Sequence, residues 1–392
     1  MLSFLHSADW QIGKPYARVE DPDKRAKLRQ VRIEAIDRIG QCARDQQAAF
    51  LLVAGDLFDS PTPSSSDISA VCQALGRLSC PVLVIPGNHD HGAPGSVWHQ
   101  RFFQEECQRR APNLQVLLNR EPLVLEQAIV LPCPLLRRTD SQDPTAWVRS
   151  IDWEALPSDR PRILLAHGSI HGFGSEDLDA DGDNLASSQN QLRLDDGLMG
   201  QLDYVALGDW HGLKQVHARG WYSGTPEPDR FPRHDAYRDG VVLAVHVERG
   251  VPPQVSPLPT AALQWHTTAV HLSGDDELEH FEATLQTLLG DEPGGHLLLL
   301  EESGSLSLEG HRRYDALLER LEAQLLRLKR RGRCAQAPDP SELRALSQRP
   351  SDPLIANVAQ RLQSELGDSA LVEERRELLQ LALAELHRCA GT

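Results

Sequence analysis

Phe50-Leu51-Leu52-Val53-Ala54-Gly55-Asp56-Leu57-Phe58-Asp59 is a short apolar run that ends in a sharp acidic turn. Apolar residues bounded by glycine suit a buried strand, and the carboxylates follow where that strand must turn. The same grammar recurs. Val82-Leu83-Val84-Ile85 runs into Pro86-Gly87-Asn88-His89-Asp90, Ile163-Leu164-Leu165-Ala166 into His167-Gly168, and Tyr204-Val205-Ala206-Leu207 into Gly208-Asp209-Trp210-His211. The opening Leu2-Ser3-Phe4-Leu5, followed by Asp9-Trp10-Gln11, fits it too. Helical stretches at 24–46 and 66–79 lie between these runs. The alternation predicts an α/β fold with strands covered on both faces. In such folds ligands bind beyond the carboxyl ends of the strands, so the five turns are expected to meet.

The chain has 392 residues, enough for two or three domains. With 40 Lys and Arg against 56 Asp and Glu, the formal charge is −16, which excludes a uniformly basic nucleic-acid coat. Any contact with DNA must then use local patches, bound metal or a partner. No apolar run approaches the roughly 20 residues of a membrane span, and the start lacks the marks of a secretory signal, so a cytoplasmic protein without membrane contact is expected. The 7 Cys form no CxxC pair. That fits a reducing compartment and argues against a zinc ribbon or disulfide scaffold.

The proline-rich stretch 250–259 predicts a boundary or an edge strand. We expect a first domain over 1–260 and a small α+β cap over 261–335, with strands at 265–272, 296–302 and 325–331 and helices at 275–289 and 308–324. A helical tail covers 336–392. In the tail Leu354, Val358, Leu362 and Leu366 recur at i+4, as in an amphipathic helix.

Asp9, Gln11, Asp56, Asn88, His167, Asp209 and His211 are metal ligands by type. Each has a plainer reading on its own: an Asp after a strand as a helix cap, a His as a hydrogen-bonded core residue. Five strand-turn units in order, each carrying such residues, argue for a joint role.

In these motifs the sequence resembles the calcineurin-like metallophosphoesterase superfamily, whose pattern is DxH, GDxxD, GNHD, an apolar strand ending in His, and GHxH. Tyr222-Ser223-Gly224-Thr225-Pro226-Glu227-Pro228 is similar to the SGSPEP segment of its DNA-repair nuclease branch, the SbcD-type and YhaO-like subunits. The resemblance implies a sandwich of sheets flanked by helices and two divalent ions. One ion would be held by Asp9, Gln11, Asp56 and His211, the other by Asp56, Asn88, His167 and Asp209. Gln11 and Asp209 stand where the family usually has His. This oxygen-rich set suits manganese or magnesium better than zinc. The resemblance also implies that His89 faces the leaving group, with Asp59 and Asp90 orienting the loops around it. It implies a DNA phosphodiesterase, exonuclease or endonuclease, that acts in DNA repair with an SMC-like coiled-coil ATPase; a homodimer is also compatible. The alternatives are a small-molecule phosphoesterase of the same superfamily and a scaffold subunit whose site has weakened.

Other features weigh less. Asp177–Asp183 begins like a calcium loop, but position 12 is Ser188 rather than Glu. His91, His99 and His171 match no ligand position, though His171 could line a cleft. Between Lys14 and Arg44 nine basic residues face five acidic ones, either a solvated helix face or an edge that positions DNA. The cluster Arg327–Arg333 could cover the acidic stretch 270–310 or touch phosphates.

Overall fold

The computed structural model describes residues 1–170, 189–232, 237–336, 339–367 and 371–390. His171 and the Asp177–Asp183 loop lie outside them. The chain divides into two compact units, Met1–Leu263 and Gln264–Thr392.

The first unit holds two six-stranded sheets. In spatial order the first runs Val251–Pro259, Val241–Glu248, Leu2–Ser7, Leu51–Ala54, Val82–Ile85 and Leu114–Val116; its last four strands are parallel. The second runs Lys214–His217, Gly220–Tyr222, Tyr204–Gly208, Arg162–His167, Ile129–Cys133 and Leu123–Val124. Side chains alternate between faces along each strand, so each apolar run feeds two cores. Leu51 and Val53 pack under the helices Pro22–Asp45 and Ser65–Leu75 with Ile36, Ile39 and Val71. Leu52 and Ala54 face the second sheet, where Ile163, Leu165, Tyr204 and Ala206 meet them. Leu164, Val205 and Leu207 point the other way, into an outer layer with Val148 and Leu198. The runs are therefore continuous rather than alternating, because both faces are buried. The proline-rich stretch is the edge strand Val251–Pro259, a position that tolerates residues without an N–H.

In the second unit Gln264–Leu272, His296–Leu306 and Arg327–Gly332 form a parallel sheet. The connections are the helices Asp275–Leu289 and Leu308–Gln324. Expected as α+β, this element has βαβ connectivity, since a helix between successive strands imposes a parallel crossover. Of the readings open for Arg327–Arg333, the pairing with 270–310 occurs for two residues: Arg330 Nε donates to the buried Glu302 at 2.7 Å, and Arg331 pairs with Glu301; outside that cluster Arg313 and Arg320 pair with Glu279 and Glu282. Residues expected as a separate tail belong to the same compact unit. Glu342 accepts the backbone N–H groups of Leu308 and Glu309 at 3.1 and 3.0 Å, capping that helix. Leu308, Leu346, Ala359 and Leu383 share a core, joined by Leu362 and Leu366, while Leu354 and Val358 are exposed. An i+4 series turns about 40° per step, so over 12 residues the stripe leaves the buried face.

Candidate metal centre

The central strands of both sheets end at one place. Beyond Ser7, Ala54 and Ile85 come Asp9, Asp56 and Asn88; in the second sheet His167 ends its strand and Asp209 follows Gly208. The first two turns are zipped together, Asp9 N donating to Gly55 O at 3.1 Å and Gln11 N to Asp56 O at 2.9 Å. Two hydrogen bonds tie the sheets across the site. His167 Nδ1 donates to Ala54 O at 2.8 Å, and Asp209 N donates to the Asp9 carboxylate at 3.1 and 3.2 Å.

Asp9, Gln11, Asp56 and Asp209 all have left-handed backbones, with φ of 54°, 44°, 54° and 108°. Such conformations are costly outside glycine and gather where a turn must aim a side chain. Gly87 passes so close to Asp56 that a Cβ there would stand 2.1 Å from Asp56 Oδ1. The glycine in GNHD is thus fixed by backbone approach.

Because His167 Nδ1 donates to Ala54, its Nε2 lone pair faces inward, 3.2 Å from Asn88 Oδ1. With the Asn88 amide oxygen turned to this nitrogen, the pair suits a proton or a metal ion between them. Asp56 Oδ1 and Asp209 Oδ1 lie 3.7 and 3.8 Å from the same nitrogen. Donors sharing one ion at about 2.1 Å stand about 3–4 Å apart. Donor atoms of Asp9, Asp56 and His167 also fall within 4.8 Å of one another, and all three residues are buried. These residues fit a divalent cation. The electrostatics agree: burial alone would lower the pKa of His167, but Asp56, Asp9 and Asp209 raise it to about 9. Burial drives the Asp9 carboxyl well above its ordinary range; His167 opposes the rise, and Asp56 and Asp209 add to it.

Gln11 and His211 lie beside this cage but have other partners. Lys14 Nζ donates to Gln11 Oε1 at 2.8 Å and to Asp229 Oδ2 at 2.6 Å. Gln11 Nε2 stands 3.3 Å from His211 Nε2, and His211 Nδ1 stands 3.0 Å from Asp229 Oδ2. Burial opposes ionisation of Asp229, yet His211, Lys14 and Arg230 hold its carboxyl well below the usual range.

His89 is half-buried. Its backbone N donates to Asp56 Oδ1 at 2.9 Å, and its Nδ1 lies 3.1 Å from the carbonyl of Asp59, so Asp59 meets the ring through its main chain. Asp90 accepts from Gly87 N at 2.7 Å and from Phe58 N at 3.1 Å, bracing both acidic turns. Burial first, then Asp56, raises its pKa to about 7 against those two donors. His91 and His99 make only loop hydrogen bonds, to Ala93 N and Gly92 O.

A family model described as calcineurin-like phosphoesterase matches residues 2–244, more than half of the chain. The chain belongs to the calcineurin-like phosphoesterase family. This phosphoesterase is 24% identical over 259 residues to the D subunit of the nuclease SbcCD from Escherichia coli (strain K12), a match covering 59% of this chain and 62% of that protein. Among solved structures, TT1561 of Thermus thermophilus aligns at a TM-score of 0.40 and 13% identity, over 66% of this chain and 99% of that one. Phosphoesterases of this family use divalent metals, consistent with the cage around His167. No helix among the described residues is long and apolar enough to cross a membrane.

Residues that the motifs did not single out also build the phosphoesterase site. The SGTPEP segment is buried and structural. Arg32 holds Thr225 Oγ1 and Glu227 O at 3.0 and 3.1 Å, and the Glu227 carboxylate accepts from Ala262 N, Leu263 N and Arg38. Its continuation, Asp229, reaches His211. The basic stretch read as either a solvated helix face or an edge that positions DNA is in part internal, since Lys14, Arg29, Arg32 and Arg38 all bond within the unit. One cue was legible: Lys14 follows the unusual Gln11 by three residues.

Proposed function

We propose that the Met1–Leu263 unit hydrolyses phosphodiester bonds of DNA, using a divalent ion held by Asp9, Asp56, Asn88, His167 and Asp209. The chain would serve as the nuclease subunit of a complex with an SMC-like coiled-coil ATPase. The facing of Asn88 Oδ1 and His167 Nε2 at 3.2 Å among three carboxylates carries the chemistry. The similarity to the D subunit of the nuclease SbcCD supports the substrate and partner. Oxygen donors outnumber imidazole in this set, which favours manganese or magnesium over zinc.

When bound, the ion supplies activation of a water and charge neutralisation at the phosphate. The chain's own residues fix the geometry. Ala54 O holds the His167 ring, and Asp90 keeps the two acidic turns in register. His89 orients the Asp56 carboxylate through its backbone N–H, and its Nε2, the ring nitrogen not turned to Asp59 O, would pass a proton to the leaving oxygen. A chain of net charge −16 is repelled by DNA, so a DNA-binding partner would deliver the substrate. The test is hydrolysis of bis(p-nitrophenyl) phosphate and linear duplex DNA with manganese, with and without the ATPase. Metal-dependent turnover of both, faster on DNA with the ATPase, supports the reading. Loss of all turnover under every divalent ion tested would sink it.

A further inference from the structure

The Gln11 side of the site has no room in its hydrogen-bonding for an ion. A Lys ammonium only donates, so the Gln11 atom 2.8 Å from Lys14 Nζ must be the oxygen. The Gln11 NH₂ therefore faces His211 Nε2 at 3.3 Å. With the proton on Nδ1, toward Asp229, the Nε2 lone pair of His211 accepts from Gln11. In the other tautomer, Nδ1 would accept from Arg230 Nη2 at 2.8 Å and Nε2 would carry the proton. Neither tautomer leaves Nε2 a lone pair for a metal.

The placement of Lys14 is built into the turn. Gln11 and Gly13 take φ of 44° and 93°, and Lys14 N donates back to Gln11 O at 3.2 Å. The ammonium is then held by Asp229, whose side chain is fully buried and which also takes Arg230 Nε at 3.1 Å. Two fixed cations therefore border the Gln11 and His211 position.

We propose that the chain binds one divalent ion, in the cage around His167, and that Lys14 Nζ holds the positive position between Gln11 and Asp229 that a second ion would otherwise take. The proposal rests on the metal-dependent reading above and replaces the two-ion expectation that the family resemblance implied. Gln11 then marks a change of cation, from a metal to an ammonium: an amide oxygen accepts from Lys14 where a protonated imidazole could not.

The test is metal stoichiometry on the full chain, stripped and titrated with manganese chloride by calorimetry, with the electron paramagnetic resonance spectrum recorded at saturation. We expect one ion per chain and an uncoupled manganese signal. Lys14→Met, which keeps the side-chain length, should raise the stoichiometry to two and give an exchange-coupled signal; Lys14→Arg should keep it at one. Two coupled ions in the wild type would overturn the proposal and leave the metal-dependent reading standing. No bound ion would remove that reading as well. A stoichiometry of one in Lys14→Met would show that Lys14 does not decide it.

Discussion

Gly87 Cα packs against Asp56 so tightly that an added Cβ would overlap both the carboxylate, at 2.1 Å, and the backbone nitrogen, at 2.5 Å. Asp56 belongs to a short turn braced by Asp90 and cannot back away. Gly87→Ala should therefore cost about 1–3 kcal/mol of stability, as overpacking does. It should also weaken manganese binding at least about tenfold, since about 1.4 kcal/mol of misplacement suffices. Calorimetric titration beside a thermal melt would separate the two effects. Unchanged affinity would mean that the loop yields.

Asp56→Asn and His89→Ala should part company. The first removes a charge from the cage, so both manganese affinity and turnover should fall. The second leaves the backbone N–H on Asp56 Oδ1 in place and should keep affinity within a few-fold while turnover drops about 10²-fold or more, as for a lost general acid. Equal loss of metal in both would remove His89 from the proton-transfer role.

The metal-free protein should lose stability as pH rises. The folded pKa of His167 is raised from 6.5 to about 9, so its contribution is fully present below pH 6.5 and fades as pH passes through about 9. Asp90, raised from 3.8 to about 7, acts in the same direction over a lower window. A bound divalent ion replaces the proton on His167 and should flatten the upper part of the curve. Melts of stripped and manganese-loaded protein from pH 6 to 9 should show midpoints that diverge as pH rises; parallel or converging curves would contradict the assignment.

Glu227→Ala should destabilise the first unit by about 3 kcal/mol, because it removes the carboxylate partner of Arg38 and leaves the N–H groups of Ala262 and Leu263 without their acceptor. Urea unfolding measures the loss. A change below about 0.5 kcal/mol, the level of an ordinary surface substitution, would show that the clamp is redundant.

Association with the ATPase is expected to use exposed apolar residues of the second unit. Leu354 and Leu378 are 74% and 54% exposed. Leu354→Asp and Leu378→Asp should weaken co-purification with the ATPase and leave the melting midpoint of the chain alone unchanged. Full retention in both variants would place the interface elsewhere.

The strand-turn units were legible because both local signals agree there. Runs such as Val82–Ile85 are apolar on every residue, and Gly87 or Gly55 marks where the backbone must pass a neighbour. Helix faces in the tail were not, because a leucine series at i+4 cannot show which residues meet a partner such as Leu308 far along the chain. The contact between Lys14 and Asp229 was equally hidden. It joins residues 215 positions apart, and nothing in the spacing of either announces the other. SGTPEP stood out as a segment, yet its role as a clamp on Arg32 and Arg38 appears only when the chain is folded.

The two hydrogen bonds across the top of the sandwich, from His167 to Ala54 and from Asp209 to Asp9, mean that neither sheet owns the site. Asp9, Asp56 and Asn88 stand on one, His167 and Asp209 on the other. A cation bound among them would act as a clasp between the two halves. Its affinity should then report how well the sheets are seated on one another. A substitution deep between them, at Leu52 or Tyr204, would register as altered metal affinity at the rim without touching a single ligand.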